Sequence, residues 1–216
     1  YSLTDTSSVY ASYTEGFKSG VIEVSSPFGA GADPETITSY EVGYKGSLLS
    51  DLDVEVSTFY YDYEDLQVSI YTPPIYTFQN AASARIKGVD LTASWHVTSD
   101  LTLKAGAEWL DAKYRDFPVA SVLVPNASGG LSNVDVDLSG ERLHRAPEFT
   151  ANLSAIYDVT TSAGQFSAAA TVYRSAKILQ EVSGRVTQPA YTTLDAQLSY
   201  APAALSNLRF VLWGTN

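Results

Sequence analysis

Apolar and polar residues alternate along most of this chain. Leu101, Leu103 and Ala105, for example, alternate with Thr102 and Lys104. A period of two is typical of a β-strand with one apolar and one polar face, and helical periodicity competes nowhere over a comparable length. The pattern predicts an all-β chain with about nine strands. These strands are expected at 6–16, 36–48, 52–71, 75–97, 101–114, 147–159, 165–175, 190–201 and 206–216.

Short and long connections join the predicted strands alternately. Short turns, with Ser, Asp, Gly and Pro residues that favour turns, are expected at 49–51, 98–100, 160–164 and 202–205. Long loops are expected at 17–35, 115–146 and 176–189. This alternation predicts an antiparallel up-and-down meander with one elaborated end, which is how bacterial outer-membrane barrels are built. Most of the strands also reach the roughly 9–11 residues that a tilted strand needs to cross a bilayer.

Aromatic residues recur on the predicted apolar face near the strand ends. We expect them to form the two aromatic girdles that barrels place at the membrane interfaces. The residues expected in the periplasmic girdle are Tyr44, Trp95, Tyr157 and Tyr200. Those expected in the opposite girdle are Tyr60, Trp109 and Phe149. In a soluble sheet the same residues would instead form a core, and this alternative stays open.

An odd number of strands does not close a single-chain bacterial barrel, which uses an even number. Alone, nine strands would expose two strand edges and a large apolar face to water. The chain is therefore expected to be an incomplete piece of a larger barrel. No stretch approaches the roughly 20 apolar residues of a membrane-spanning helix, so any membrane crossing would use strands. The mean hydropathy of −0.04 fits a two-faced strand pattern.

Composition and charge remove several classes of function. With no cysteine, the chain forms no disulfide or thiolate metal site. A net charge of −11 argues against a nucleic-acid partner. Acidic residues cluster around Asp62 and Asp137, but without a recognised ligand spacing, so neither a metal site nor a cofactor is predicted. Only His96 and His144 could serve a Ser-His-acid arrangement, and neither has the neighbouring features of an active site, so no catalytic residue is predicted.

Six segments in order resemble the C-terminal half of the barrel of TonB-dependent outer-membrane receptors of the siderophore-receptor type. They are SYEVGYKG (39–46), FYYDYEDLQV (59–68), NAASARIKGVDL (80–91), RAPEFTANLSAIYDV (145–159), YTTLDAQLSYAP (191–202) and LRFVLWGTN (208–216). The resemblance covers nearly the whole chain. Each segment alone is a weak signal, because barrel strands look alike, and the order of the six carries the resemblance.

The resemblance implies a 22-stranded barrel in the bacterial outer membrane, of which residues 1–216 are one partial domain without the plug domain and the last strand. It also implies that the parent receptor binds a scarce ligand, such as a ferric siderophore, and imports it with energy from TonB. The implied partners are the plug, TonB, the ligand, outer-membrane lipid and lipopolysaccharide. Two alternatives stay open: a passive porin-like channel and a soluble β-rich binding module.

Four residues of the longest predicted loop and its borders are the candidate ligand contacts. Tyr114, Arg115, Arg142 and Arg145 could offer guanidinium and aromatic surface to an anionic iron chelate. The alternative is that they contact neighbouring loops or lipopolysaccharide just above the outer leaflet. No family motif assigns individual contacts, so these four rest on residue type and position alone.

Overall fold

The computed structural model describes residues 1–22, 31–72, 75–205 and 207–216, with backbone alone at 69–72, 75–77 and 79. Every regular element in these ranges is a strand. No helix among them is long and apolar enough to cross a membrane. The strands are β1 Ser2–Thr4, β2 Ser7–Lys18, β3 Val21–Ile22, β4 Gly31–Ala32, β5 Glu35–Leu49, β6 Leu52–Thr72, β7 Ile75–His96, β8 Leu101–Asp116, β9 Ala120–Pro125, β10 Leu131–Val136, β11 Phe149–Thr161, β12 Gly164–Ser175, β13 Ile178–Leu179, β14 Thr187–Gln188, β15 Tyr191–Pro202 and β16 Phe210–Gly214.

Ten of these strands form one open antiparallel sheet. Its order is β1-β2-β5-β6-β7-β8-β11-β12-β15-β16, so strands adjacent along the chain are adjacent in the sheet. The remaining six form the small hairpins β3–β4, β9–β10 and β13–β14, all within the long connections. The sheet therefore has a loop end, which carries the hairpins, and a turn end, where the connections are short. The predicted all-β meander with one elaborated end is confirmed.

The nine predicted strands correspond to nine of the ten strands in the sheet, and the tenth was missed. Strand β1 has three residues, too few to show an alternating pattern. It pairs with β2 through Ser2 and Ser8, and the Tyr1 ammonium donates to the Val9 carbonyl at 2.7 Å. The last strand begins at Phe210, later than the predicted 206, a position outside the described residues.

The three hairpins occupy segments that were predicted to be loops. They were missed because each consists of two short paired runs, and only pairing distinguishes such runs from loop. Hairpin β9–β10, for example, pairs Ala120 with Val136 and Pro125 with Leu131. Part of the predicted loop 17–35, residues 23–30, lies outside the described residues.

The two faces of the sheet differ sharply in chemistry. On the apolar face, large side chains such as Leu153, Val42 and Leu198 are each more than half exposed. On the other face, cross-strand pairs such as Asp90 with Glu108 are polar. Exposed apolar residues over many strands are not stabilised by contact within this chain, so this face requires an apolar environment or partner.

Glycines on the polar face allow aromatic rings to lie flat on the sheet. A Cβ at Gly88 would lie 2.5 Å from Phe59 Cζ and 2.6 Å from the Trp109 carbonyl oxygen. A Cβ at Gly43 would lie 2.5 Å from the Tyr10 ring. Each ring lies across the glycine directly opposite in register, as expected where aromatic side chains cover cross-strand glycines.

Candidate functional site

The polar face forms a charged wall through the middle of the sheet. Asp90 and Glu108 lie directly opposite each other, and the Tyr10 hydroxyl donates to Glu41 Oε1 at 2.6 Å. Glu55 is paired with Lys45, with 3.4 Å between Oε2 and Nζ. Two open cavities of about 770 and 530 Å³ lie along this wall. The wall thus presents a hydrated, mostly acidic surface to whatever occupies the space beside it.

The loop end contains the small hydrophobic core. It consists of Ala82, Tyr114, Phe117, Ala120, Val122 and Leu138, each at most 9% exposed. The Tyr114 and Phe117 rings pack with centroids 5.0 Å apart. The Leu138 amide donates to the Phe117 carbonyl at 2.9 Å, and the Phe117 amide donates to Ser139 Oγ at 2.9 Å. The β9–β10 hairpin is therefore fastened to the end of β8 by apolar contact and hydrogen bonds.

A cavity of about 380 Å³ opens beside this core, between the β8–β9 connection and the β13–β14 hairpin. Tyr114, His144, Arg145, Gln180 and Glu181 contribute to its lining. The Tyr114 hydroxyl lies 3.3 Å from His144 Nδ1. The Arg145 amide donates to the Leu179 carbonyl at 2.7 Å, with Arg145 at a φ of 59°. We call this cavity the loop-end pocket.

Three ionisable side chains set the charge of the loop-end pocket: His144, Arg145 and Glu181. Burial lowers the pKa of His144 below its ordinary value, and the Arg145 charge lowers it further, whereas Glu181 acts in the opposite direction. Partial burial raises the pKa of Glu181, but hydrogen bonds from Ser183, Val186 and Arg185 outweigh it and lower that pKa to about 2. The pocket at neutral pH therefore combines a neutral imidazole, a guanidinium and a carboxylate.

Glu181 organises the β13–β14 hairpin. Its carboxylate accepts hydrogen bonds from the Ser183 amide at 2.8 Å, the Arg185 amide at 2.7 Å and the Val186 amide at 3.1 Å. Arg185 Nη1 then donates to the Leu123 carbonyl at 3.0 Å, which links this hairpin to β9. One wall of the pocket is thus held by a network that starts from a single carboxylate.

Of the four candidate contact residues, the pocket brings together Tyr114 and Arg145. Arg115 follows Tyr114 on β8 and points to the apolar face, where its guanidinium contacts Asp62 at 3.1 Å and Glu64 at 3.4 Å. Arg142 lies beside a neighbouring cavity of about 410 Å³, 3.4 Å from Glu148 and 3.2 Å from the Leu110 carbonyl. Arg115 and Arg142 are therefore paired with acidic groups away from the loop-end pocket.

Two residues of the pocket were missed by sequence reasoning. Gln67 donates from Nε2 to the Ser19 and Asp33 carbonyls, at 2.9 and 3.0 Å. Its partners are remote in the chain, so no local signal could have found it. Glu181 precedes Ser183 and Gly184, a weak sign of a turn closed by a side chain. As a residue type, Glu181 does not stand out in a chain with 24 acidic residues.

The residues expected in the aromatic girdles all lie on the apolar face. Trp109 is in register with Phe149, and Trp95 with Leu52 near the turn end. Tyr200 stacks on Phe166 with centroids 4.4 Å apart. Among the residues that the structure describes, no group of three or more acidic or histidine side chains is placed to hold a metal ion.

The comparison with protein families decides the family of this chain. The family model described as "TonB dependent receptor-like, beta-barrel" matches residues 1–216. The chain belongs to this family. The description of the family names a receptor barrel. The comparison with curated proteins gives no match.

Solved structures of this receptor type have the same fold. The ferric yersiniabactin uptake receptor FyuA of Yersinia pestis is similar at a TM-score of 0.78 and 19% identity, over 100% of this chain and 30% of that receptor. The siderophore receptor PiuA of Acinetobacter baumannii gives 0.76 and 20%, over 99% and 30%. The alcaligin receptor FauA of Bordetella pertussis gives 0.62 and 22%, over 100% and 33%. The chain thus spans about a third of the length of these receptors.

Proposed function

We propose that this chain is part of an outer-membrane receptor that binds a ferric siderophore or a similar scarce ligand and imports it with energy delivered through TonB. The observation that carries the proposal is the loop-end pocket in a chain of the TonB-dependent receptor family. The solved receptors with the same fold include ones named for ferric yersiniabactin and alcaligin and one named as a siderophore receptor. In the whole receptor, the polar wall would face the plug domain and the apolar face would contact outer-membrane lipid.

Tyr114 and Arg145 are the residues we propose as ligand contacts. Both line the loop-end pocket, at the end of the sheet that carries the long loops. The Arg145 guanidinium suits planar recognition of an anionic oxygen, and the Tyr114 hydroxyl offers a donor beside a neutral His144. An iron chelate with carboxylate or phenolate oxygens has the complementary chemistry.

Transport is tested with the full-length gene product in a host without its own siderophore receptors. We expect cells to accumulate radiolabelled iron from at least one member of a panel of ferric siderophores. Deletion of tonB is expected to abolish uptake while leaving binding to isolated membranes intact. TonB-independent entry of small hydrophilic solutes, without saturable binding of any chelate, would instead identify a porin-like channel.

The pocket is tested by Arg145→Gln, compared with Arg174→Gln. Arg174 lies on the apolar face and donates to Thr192 Oγ1 at 3.1 Å, so it is a matched control outside the pocket. A hydrogen bond to a charged group contributes about 1.5–3 kcal/mol, so Arg145→Gln is expected to weaken chelate binding roughly 10- to 100-fold. Equal affinities for both variants would remove Arg145 from the binding site.

A further inference from the structure

A row of tyrosines on the apolar face continues directly into charged residues. Tyr13, Tyr40 and Tyr60 are opposite one another in register, with ring centroids 5.2 and 6.3 Å apart. The next two positions in the same row are Lys87 and Asp111. Tyrosine is enriched where membrane meets water, at the level of the lipid headgroups. The row therefore places Lys87 at that level.

Two further cations lie two residues closer to the loop end on the neighbouring strands β7 and β8. Lys113 and Arg85 are paired across β7 and β8. The Arg85 guanidinium carbon lies 5.5 Å from the centroid of the Tyr60 ring. Each cation is on the same face as the tyrosine row, because positions two apart on a strand share a face. We call Arg85, Lys87 and Lys113 the outer basic cluster.

The outer basic cluster carries more positive charge than its neighbours neutralise. Lys87 and Lys113 share a single carboxylate, with 3.4 and 3.2 Å between their Nζ atoms and the two oxygens of Asp111. Asp62, which is opposite Arg85 in register, is occupied by the guanidinium of Arg115. Arg115 is shared by Asp62 and Glu64, so the four cations of this region face three carboxylates and hold one net positive charge. Both lysine side chains remain about half exposed, at 52% and 48%.

We propose that the outer basic cluster binds the phosphate group of a lipid headgroup in the outer leaflet. This inference rests on the proposed outer-membrane location of the chain. A phosphate accepts hydrogen bonds from two ammonium groups and a guanidinium at once, and the tyrosine row covers the acyl-chain boundary beside it. The same position would suit a free inorganic anion less well, because the cluster opens onto an apolar face and not onto a closed pocket.

The test titrates a diphosphorylated lipid A onto the full-length protein in mild detergent and counts bound lipid by native mass spectrometry. The variant is Lys87→Gln/Lys113→Gln. Each Lys or Arg near an anionic surface contributes about 1 kcal/mol, or about fivefold in affinity. The double variant is therefore expected to bind this lipid on the order of 25-fold more weakly. Asp111→Asn is expected to act in the opposite direction and tighten binding severalfold.

The matched control is Lys45→Gln/Lys104→Gln, because both lysines lie on the polar face. It is expected to bind lipid A as the unaltered protein does. Equal binding by the two double variants would overturn the proposal. So would equal binding of lipid A from which both phosphates have been removed, which would assign binding to the acyl chains alone. If inorganic phosphate displaced lipid A at concentrations similar to those at which lipid A binds, the cluster would instead be a site for a free anion.

The proposal and the proposed function fail in different ways. Heat-modifiable migration of the detergent-extracted protein reports whether a barrel has formed, independently of lipid A. If the barrel forms and imports iron but the two double variants bind lipid A equally, only the proposal for the outer basic cluster is contradicted. A protein that forms no membrane barrel contradicts the proposed function first.

Discussion

The ten-stranded sheet and the loop-end core are stabilised in different ways. On the apolar face of the sheet, Leu153 and Leu198 are each 56% exposed. In the loop-end core, Phe117 is 3% exposed and Ala112, nearby on β8, is fully buried. The sheet is held by continuous backbone hydrogen bonds between strands. The loop-end core is held by apolar contacts among side chains from distant segments. One chain thus contains a structure suited to lipid beside a structure suited to water.

The difference follows from the solvent that each region meets. In lipid, backbone groups must be paired within the protein, and a closed ladder does this without a side-chain core. Apolar side chains can then face outward at no cost. In water, a loop is ordered only if it buries apolar surface or satisfies polar groups through side chains. Phe117 supplies the first of these effects and Glu181 the second.

The largest expected effect comes from removing the ring at the centre of the loop-end core. Phe117→Ala is expected to lower the local free energy of unfolding by about 3–5 kcal/mol, because a buried aromatic side chain leaves a cavity. Amide hydrogen exchange should accelerate strongly in β9 and β10 and remain slow in β6 and β7. The matched control is Phe149→Ala, at a side chain that is 41% exposed on the apolar face of the sheet. Loss of protection across the whole sheet would contradict the separation of the two regions.

The second prediction tests the two faces of the sheet at adjacent positions of β11. Leu153→Arg places a charge on the apolar face and is expected to cost about 2–4 kcal/mol in lipid. Asn152→Arg places the same charge on the polar face and is expected to change stability little. Urea unfolding of the full-length barrel in lipid vesicles measures both. Equal destabilisation would mean that the apolar face is not in contact with lipid.

The smallest effect concerns the carboxylate of the β13–β14 hairpin. The pKa of Glu181 is lowered from 4.5 to about 2, so its stabilising contribution is complete above about pH 4.5 and is lost as pH falls toward about 2. The shift corresponds to about 3 kcal/mol, which we reduce to about 1 kcal/mol because this carboxylate is only partly buried and is screened by solvent. Protection of the Arg185 and Val186 amides against hydrogen exchange should decrease as pH falls through this interval.

Glu181→Gln provides the comparison for that pH dependence. It should raise the exchange of the same amides already at pH 7 and remove most of the change between pH 4.5 and pH 2. Asp195→Asn, in β15, is the control and should leave these amides unaffected. A pH response that persists in Glu181→Gln would assign it to another acidic group.

The long strands of the sheet could be predicted because each is an alternating run long enough to show a period of two. Strand β11 is an example: Leu153 and Tyr157 lie on one face with Ser154 and Asp158 on the other. The short strand β1 and the three hairpins could not be predicted, because their order depends on partners and not on their own pattern. Hairpin β13–β14 exists through the contacts of Glu181, whose preference for this turn is weak.

The candidate site was predicted less well than the fold. Residue type suggested four contacts in one region, but Tyr114 and Arg115 are consecutive in a strand and must point to opposite faces. The structure places Tyr114 in the loop-end pocket and Arg115 beside Asp62. His144 and Glu181 join Tyr114 only because two loops meet above β8.

By itself, the sequence determined the strand class, the antiparallel order and the chemistry of each face, because alternation over many residues is a local property of the chain. Only the tertiary structure decided which loop residues share a pocket, which charges are already paired, and where the small core lies. Those features depend on contacts between segments that are remote in the chain. Their energies come from burial and hydrogen bonding and not from local pattern.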